Sequence, residues 1–204
     1  MEEIFDLQWK LNTYTLNNIG LNYAETIRDS QQKPVWIENY KKALSAELAE
    51  LIREVKDNGM GADNGKIEIV DMLHFLVSLS HIVELKPSDL PESAVSATGF
   101  DNCAIQTFLA LDDLQNSLKW KWWARGGGFQ PEKARQAVAA LWRCFAEMCA
   151  LFHLDMETVK RIYIAKNKVN FRRQDQNYNE DTKTEGDNEG LKAIISPQGD
   201  RYPK

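Results

Sequence analysis

Residues 67–80 are too apolar to lie on a free surface, yet they carry two carboxylates, Glu68 and Asp71, three positions apart. Residues at that spacing share one helical face. The two acids must therefore face a cleft or a partner helix, because an unpaired charge in an apolar core is costly. A second pair, Glu47 and Glu50, precedes the first by 17 intervening residues and sits among Ala43, Leu44, Leu48, Leu51 and Ile52. A short turn between two such helices can bring the pairs together. Four like charges at close range disfavour joint ionisation, and a hard divalent cation relieves that repulsion. An all-oxygen donor set without Cys or His fits Mg²⁺ better than zinc. Mg²⁺ fills its remaining positions with water or phosphate oxygens, so the spacing points to hydrolysis of a nucleotide phosphate. Taken alone, either pair is an ordinary solvated helical face; the apolar flanks set these two apart.

The rest of the 204 residues place this pattern in one helical domain. With 43% hydrophobic and 27% charged residues, the chain can bury a single good core. No apolar run reaches the roughly 18 to 20 residues of a membrane span, and Met1-Glu2-Glu3 lacks the blocks of a signal peptide. The expectation is a cytoplasmic protein that does not engage a membrane. A net charge of -5 argues against general nucleic-acid binding. Cys103, Cys144 and Cys149 have no metal-type spacing and read as reduced core residues. His74, His81 and His153 read as buried, hydrogen-bonded histidines, with His74 also able to orient a carboxylate or touch a sugar.

Apolar periodicity predicts helices over 2–18, 35–56, 66–84, 101–123, 132–152 and 155–173. Asn58-Gly59, Gly61 and Asn64-Gly65 read as the turn between the second and third, Gly126-Gly127-Gly128 as the stop after the fourth, and Asp155 as a cap. No segment alternates convincingly as a strand, so the expected fold is all-α. Residues 1–175 form the domain, and the polar stretch that follows is expected to be mobile without a ligand or neighbouring subunit. The faces left apolar suggest a homodimer.

The paired acids match the E-x-x-E, spacer, E-x-x-D pattern of the all-α NTP pyrophosphatases, which include MazG-like enzymes, dimeric dUTPases and the T-even-phage type of dCTPase. Flanking segments sharpen the resemblance. Gln8-Trp9-Lys10-Leu11-Asn12 resembles the Q-x-x-L-N segment of dimeric dUTPases, and Asp71-Met72-Leu73-His74-Phe75 their D-x-x-H-F. The run from Lys166 to Tyr178 is similar to the K-N-x-x-N…R-Q-x-x-G-Y block, and Gly186-Asp187-Asn188 to the terminal E-D-N. The resemblance implies a helical bundle of the all-α NTP pyrophosphatase type. It also implies Mg²⁺-dependent hydrolysis of dUTP, with dUDP as a second substrate, to dUMP and pyrophosphate in the triphosphate case. Hydrolysis of dCTP, a broad MazG-like activity and a non-catalytic helical regulator-binding protein are the alternatives.

By this resemblance Glu47, Glu50, Glu68 and Asp71 hold the metal, with Glu47 orienting the attacking water. Gln8 and Asn12, four apart on one face, each offer a donor and an acceptor that suit a pyrimidine edge; the amides suit uracil or cytosine alike, and surface amides are the plainer reading. Lys166, Asn170 and Arg173 recur at four and three residues and could clamp a polyphosphate, although cations near a helix C-terminus are also ordinary dipole complements. Tyr178 and Lys183 would belong to a lid over residues 176–204. The chain departs from the pattern in three places, one of them Thr182, which stands where dUTPases often have a second tail Tyr. The interval between the acid pairs lacks the usual W-K-x-W segment, whereas Trp120-Lys121-Trp122-Trp123 stands far downstream, expected as core or interface surface. Asn177 replaces the Gly before the tail Tyr.

Overall fold

The computed structural model describes residues 1–91 and 99–175, together with Leu191 and Ile195. These residues form seven α-helices and no strand: α1 Glu2–Asn18, α2 Tyr23–Thr26, α3 Gln32–Asn58, α4 Asp63–Ile82, α5 Phe100–Asn116, α6 Pro131–Leu151 and α7 Met156–Asp175, with a 3₁₀ turn at Pro87–Asp89. The all-α expectation holds. The helix pair α3/α4 carries the acid motifs, α5 lies along α6, and α4 is central, touching α1, α3, α6 and α7. Its centrality follows from its composition: Ile67, Ile69, Val70, Leu73, Val77, Leu79 and Ile82 are fully buried on several sides of the helix. Among the described residues no single helix is long and apolar enough to cross a membrane. The three cysteines are buried and unpaired, and burial pushes the Cys103 and Cys149 thiols up to about 12. Tyr178, Lys183 and the 186–188 segment lie outside the described residues. Leu191 and Ile195 are helical and buried with the core.

The helix ends explain where the chain departs from its periodicity. Helices α1, α4 and α6 all close with the residue after the cap in the left-handed region and the next amide bonded back five residues: Leu21 N–H to Leu16 O, Leu85 N–H to Ser80 O and Leu154 N–H to Cys149 O, at 2.8–2.9 Å. This is the Schellman geometry. Only α1 uses glycine for it, Gly20 at φ 78°; α4 and α6 use Glu84 at φ 58° and His153 at φ 53°. His153 is thus exposed, contrary to the expectation of a buried histidine, because a residue at this position turns its side chain outward while the following Leu154 packs inward. Asp155 caps α7 as expected, its Oδ1 accepting from Thr158 N–H at 2.7 Å.

Two further expectations are corrected. Helix α5 stops at Asn116 and does not run to Trp123. Ser117 turns its hydroxyl back to Leu114 O at 2.7 Å, and its carbonyl accepts from Gln130 N–H at 2.8 Å, closing the base of a loop. On that loop Trp122 is 85% exposed and Trp123 61%, so these indoles are not core. Gly65, expected in a turn, lies inside the first turn of α4 and is buried. A Cβ there would stand 2.8 Å from Phe152 Cε1 and 3.6 Å from Leu51 Cδ1, so glycine permits the close approach of α4 to α3 and to the end of α6.

Gly65→Ala is therefore expected to lower unfolding stability by about 1–2 kcal/mol, overpacking outweighing a gain of roughly 1 kcal/mol in helix propensity. Urea denaturation measures this directly, and a neutral or stabilising result would show that Phe152 moves aside freely.

Candidate functional site

The turn between α3 and α4 folds the two motifs together as their spacing suggests. Glu47, Glu50 and Glu68 offer carboxylate oxygens that all lie within 4.8 Å of one another, with Glu68 buried and the other two half-buried. Asp71 is one turn further along α4 and stands outside that group. Its Oδ2 accepts from Lys166 Nζ of α7 at 2.7 Å, and both side chains are nearly enclosed. Three converging carboxylates with no nitrogen or sulfur donor fit a hard divalent cation, since each contributes an anionic oxygen and none a soft ligand. They form the one such group among the described residues.

Beside the acids lies a cavity of about 320 Å³. Glu47, Asp71, Lys166, Asn170 and Arg173 line one part of it, so the structure brings these sequence-selected residues to a common space. Gln8 and Asn12 line it as well, but their surroundings differ from the expectation. Both are buried, and their amides are engaged within the protein. Gln8 Nε2 donates to Asn12 Oδ1 at 2.8 Å and to Ser78 Oγ at 3.1 Å, while Asn12 Nδ2 donates to Tyr23 Oη and Ser78 Oγ at 3.0 Å each. Both hydrogens of each amide are thereby used. Gln8 Oε1 accepts from Tyr163 Oη at 2.5 Å and meets His74 Nδ1 at 2.8 Å.

This network fixes the state of His74. An amide oxygen can only accept, so Nδ1 carries the proton and Nε2 keeps its lone pair. Burial, reinforced by the Lys166 charge, lowers the His74 pKa from 6.5 to about 3, so the ring is neutral. The ring stacks on Tyr163 at 4.2 Å, lines the cavity, and its buried Nε2 has no hydrogen-bond partner among the described residues. His74 is thus a fixed acceptor beside the acids. His81, half-buried between Phe5 and Trp9, is likewise held down to about 4, mainly by burial.

Sequence reading missed the apolar wall of the cavity. Trp36, Tyr40 and Phe75 line it, with ring centroids 5.8 Å apart for Trp36 and Tyr40 and 6.5 Å for Tyr40 and Phe75. Trp36 and Tyr40 stand eleven and seven residues before Glu47, which is helical spacing on one stripe of α3. That stripe was the available signal. Together these walls give a space lined by aromatic rings, by Glu47 of the carboxylate group and Asp71, by His74, and by the cations Lys166 and Arg173.

The neutral histidines make stability depend on pH in a definite sense. Their folded pKa values lie below the unfolded value of about 6.5, so the unfolded chain takes up protons first as pH falls. Stability should drop by up to about 1.4 kcal/mol per pH unit for each histidine below pH 6.5. Denaturant titrations at pH 7, 6 and 5 test this; no change between pH 6.5 and 5 would contradict neutral burial.

No curated protein and no solved structure matches the chain. A family model described as dUTPase does match it, over residues 1–178, from the start of α1 through the whole of α7. That span includes both acid pairs, the cavity and the fixed histidine, and it agrees with the all-α architecture. The chain belongs to the dUTPase family, with the nucleoside triphosphate hydrolase activity of the dUTPase type that the family supports.

Proposed function

We propose that the chain is a Mg²⁺-dependent pyrophosphatase that hydrolyses dUTP to dUMP and pyrophosphate, with dUDP as a second substrate. The observation that carries this reading is the meeting, around one cavity, of an aromatic wall and fixed acceptor with a carboxylate group and two cations. A flat base suits the side lined by Trp36, Tyr40 and Phe75, and a polyphosphate the side lined by Lys166 and Arg173.

Glu47, Glu50 and Glu68 would hold the cation, and Asp71 would complete or brace that set. Bound Mg²⁺ supplies Lewis acidity at the phosphorus and lowers the pKa of an attached water. Glu47 is at once part of the acid group and of the cavity lining. That double position supports Glu47 as the residue that would orient the attacking water between cation and substrate. Lys166, with Asn170 and Arg173 further along α7, would neutralise charge on the leaving pyrophosphate. The Lys166–Asp71 pair links that helix to the acids and keeps the ammonium at the cavity edge.

Gln8 and Asn12 would act on the base by organising the pocket: Gln8 sets the His74 tautomer, and Asn12 with Ser78 holds Gln8. Once exposed to the cavity, the buried lone pair on His74 Nε2 would accept the N3–H of uracil, the amino group of cytosine or a sugar hydroxyl. That versatility keeps dCTP as the second reading. A homodimer is supported by the groove between α3 and α5, where Ile105 and Phe108 are exposed beside Ile52.

Turnover of dUTP, dCTP, dTTP and dATP measured side by side with Mg²⁺ tests the substrate assignment. Preference for dUTP by at least tenfold is expected, and equal turnover of dATP would end the pyrimidine reading. Glu50→Gln, which keeps volume but loses an anionic ligand, should reduce kcat at least a hundredfold with the fold retained. Near-normal turnover by this variant at saturating Mg²⁺ would remove Glu50 from the metal site.

A further inference from the structure

Glu68 is the most buried of the three clustered carboxylates, and one of its oxygens is held from the side. Asn64, one helical turn earlier on α4, donates from Nδ2 to Glu68 Oε1 at 3.1 Å and to Glu54 Oε2 at 3.2 Å. An amide nitrogen has two hydrogens, so both bonds form together. The other oxygen of Glu54 accepts from Asn58 Nδ2 at 3.0 Å. Glu54 follows Glu50 by four residues and Glu47 by seven, so it shares their face of α3. It nevertheless stands outside the 4.8 Å group. Two amides engage its oxygens, and it serves as the anchor for Asn64.

We infer that Asn64, itself oriented by Glu54, is a positioning residue that fixes the Glu68 carboxylate toward Glu47 and Glu50; this rests on the reading of that group as a divalent-cation site. The physical need is plain. A glutamate side chain is flexible, and repulsion from two neighbouring carboxylates would turn Glu68 away from them if nothing held it. A donor on one oxygen resists that rotation and spreads part of the charge. Hydrogen bonds of this kind to metal-ligating carboxylates typically change metal affinity or activity by about 10- to 100-fold when removed. Asn64 does this from the start of α4, where Gly65 beside it already sets the approach of the two helices. The same short segment thus fixes both helix spacing and ligand orientation. None of the three residues of this chain, Asn58, Glu54 and Asn64, belongs to the motifs that mark the site.

The experiment is direct metal binding without nucleotide: Mn²⁺ titration followed by electron spin resonance, and Mg²⁺ titration by calorimetry. The proteins are the wild type, Asn64→Ala, the near-isosteric Asn64→Leu, and Glu68→Gln, each with a metal-free thermal melt. Both Asn64 variants should bind Mn²⁺ about 10- to 100-fold more weakly, with metal-free melting close to wild type. Hydrolysis by them should recover toward the wild-type kcat as Mg²⁺ is raised. Wild-type affinity in both Asn64 variants, with affinity lost in Glu68→Gln, would overturn the inference while leaving the metal site standing. Equal Mn²⁺ binding by wild type and Glu68→Gln would refute the metal site, and the inference with it. Weaker binding matched by a large fall in metal-free melting temperature in both Asn64 variants would assign Asn64 to the fold and overturn its positioning role.

Discussion

Repulsion among Glu47, Glu50 and Glu68 is the constraint that the surrounding structure must meet. Two unit charges 4.8 Å apart oppose one another by about 3.5 kcal/mol at an effective dielectric near 20. The opposing force is apolar packing between the two helices that carry the acids. Leu44, Leu48 and Leu51 of α3 are buried, as are Ile67, Ile69, Val70 and Leu73 of α4. Each large side chain taken out of water contributes roughly 1.5–3 kcal/mol. Gly65 lets the helices close at the end where the acids meet. The site is held together by hydrophobic burial against its own electrostatics, and a cation changes the sign of the latter.

Helix α4 organises both parts of the cavity with a single polar stripe. Glu68, Asp71, His74 and Ser78 recur at three- and four-residue spacing on an otherwise apolar helix. They meet three different helices: Glu68 the acids of α3, Asp71 the lysine of α7, His74 and Ser78 the amides of α1. One rigid element thereby sets the distance between the carboxylate group and His74. Under the proposed function, a nucleotide lying along it would be measured by length as well as by chemistry, since a site on helices achieves more precision than one on loops.

Much of this was legible because helical periodicity and charge in apolar surroundings are local signals. The acid pairs, the all-α class, the reduced cysteines and the Asp155 cap all follow from residues within a turn or two of each other. What escaped was set by contacts between distant segments. The left-handed caps at Glu84 and His153 carry no glycine; their mark is the buried leucine that follows, meaningful only once a core exists to receive it. The end of α5 depends on Ser117 bonding to Gln130 across a loop. Trp36 and Tyr40 share a stripe with Glu47, but sequence alone gives that stripe no cavity to face. Gly65 resembles a turn glycine until Phe152, 87 residues later, is placed against it.

The amides of Gln8 and Asn12 show the same limit in its sharpest form, and they bear on how the pocket can be selective. Their spacing was visible, but their saturation was not, since Ser78, Tyr23, His74 and Tyr163 come from α2, α4 and α7. Buried amides with every hydrogen engaged resist rotation, because turning either one would place donors against donors at a cost of about 1–3 kcal/mol for each group left unpaired. A pair of open surface amides could reorient to suit uracil or cytosine. A locked pair cannot, and the acceptor it creates at His74 Nε2 is equally fixed. Under the proposed function, discrimination in such a pocket would come from preorganisation, its polar groups being set before a ligand arrives. The polar groups that the sequence suggested as readers of the base are engaged with one another and with Ser78, Tyr23, His74 and Tyr163.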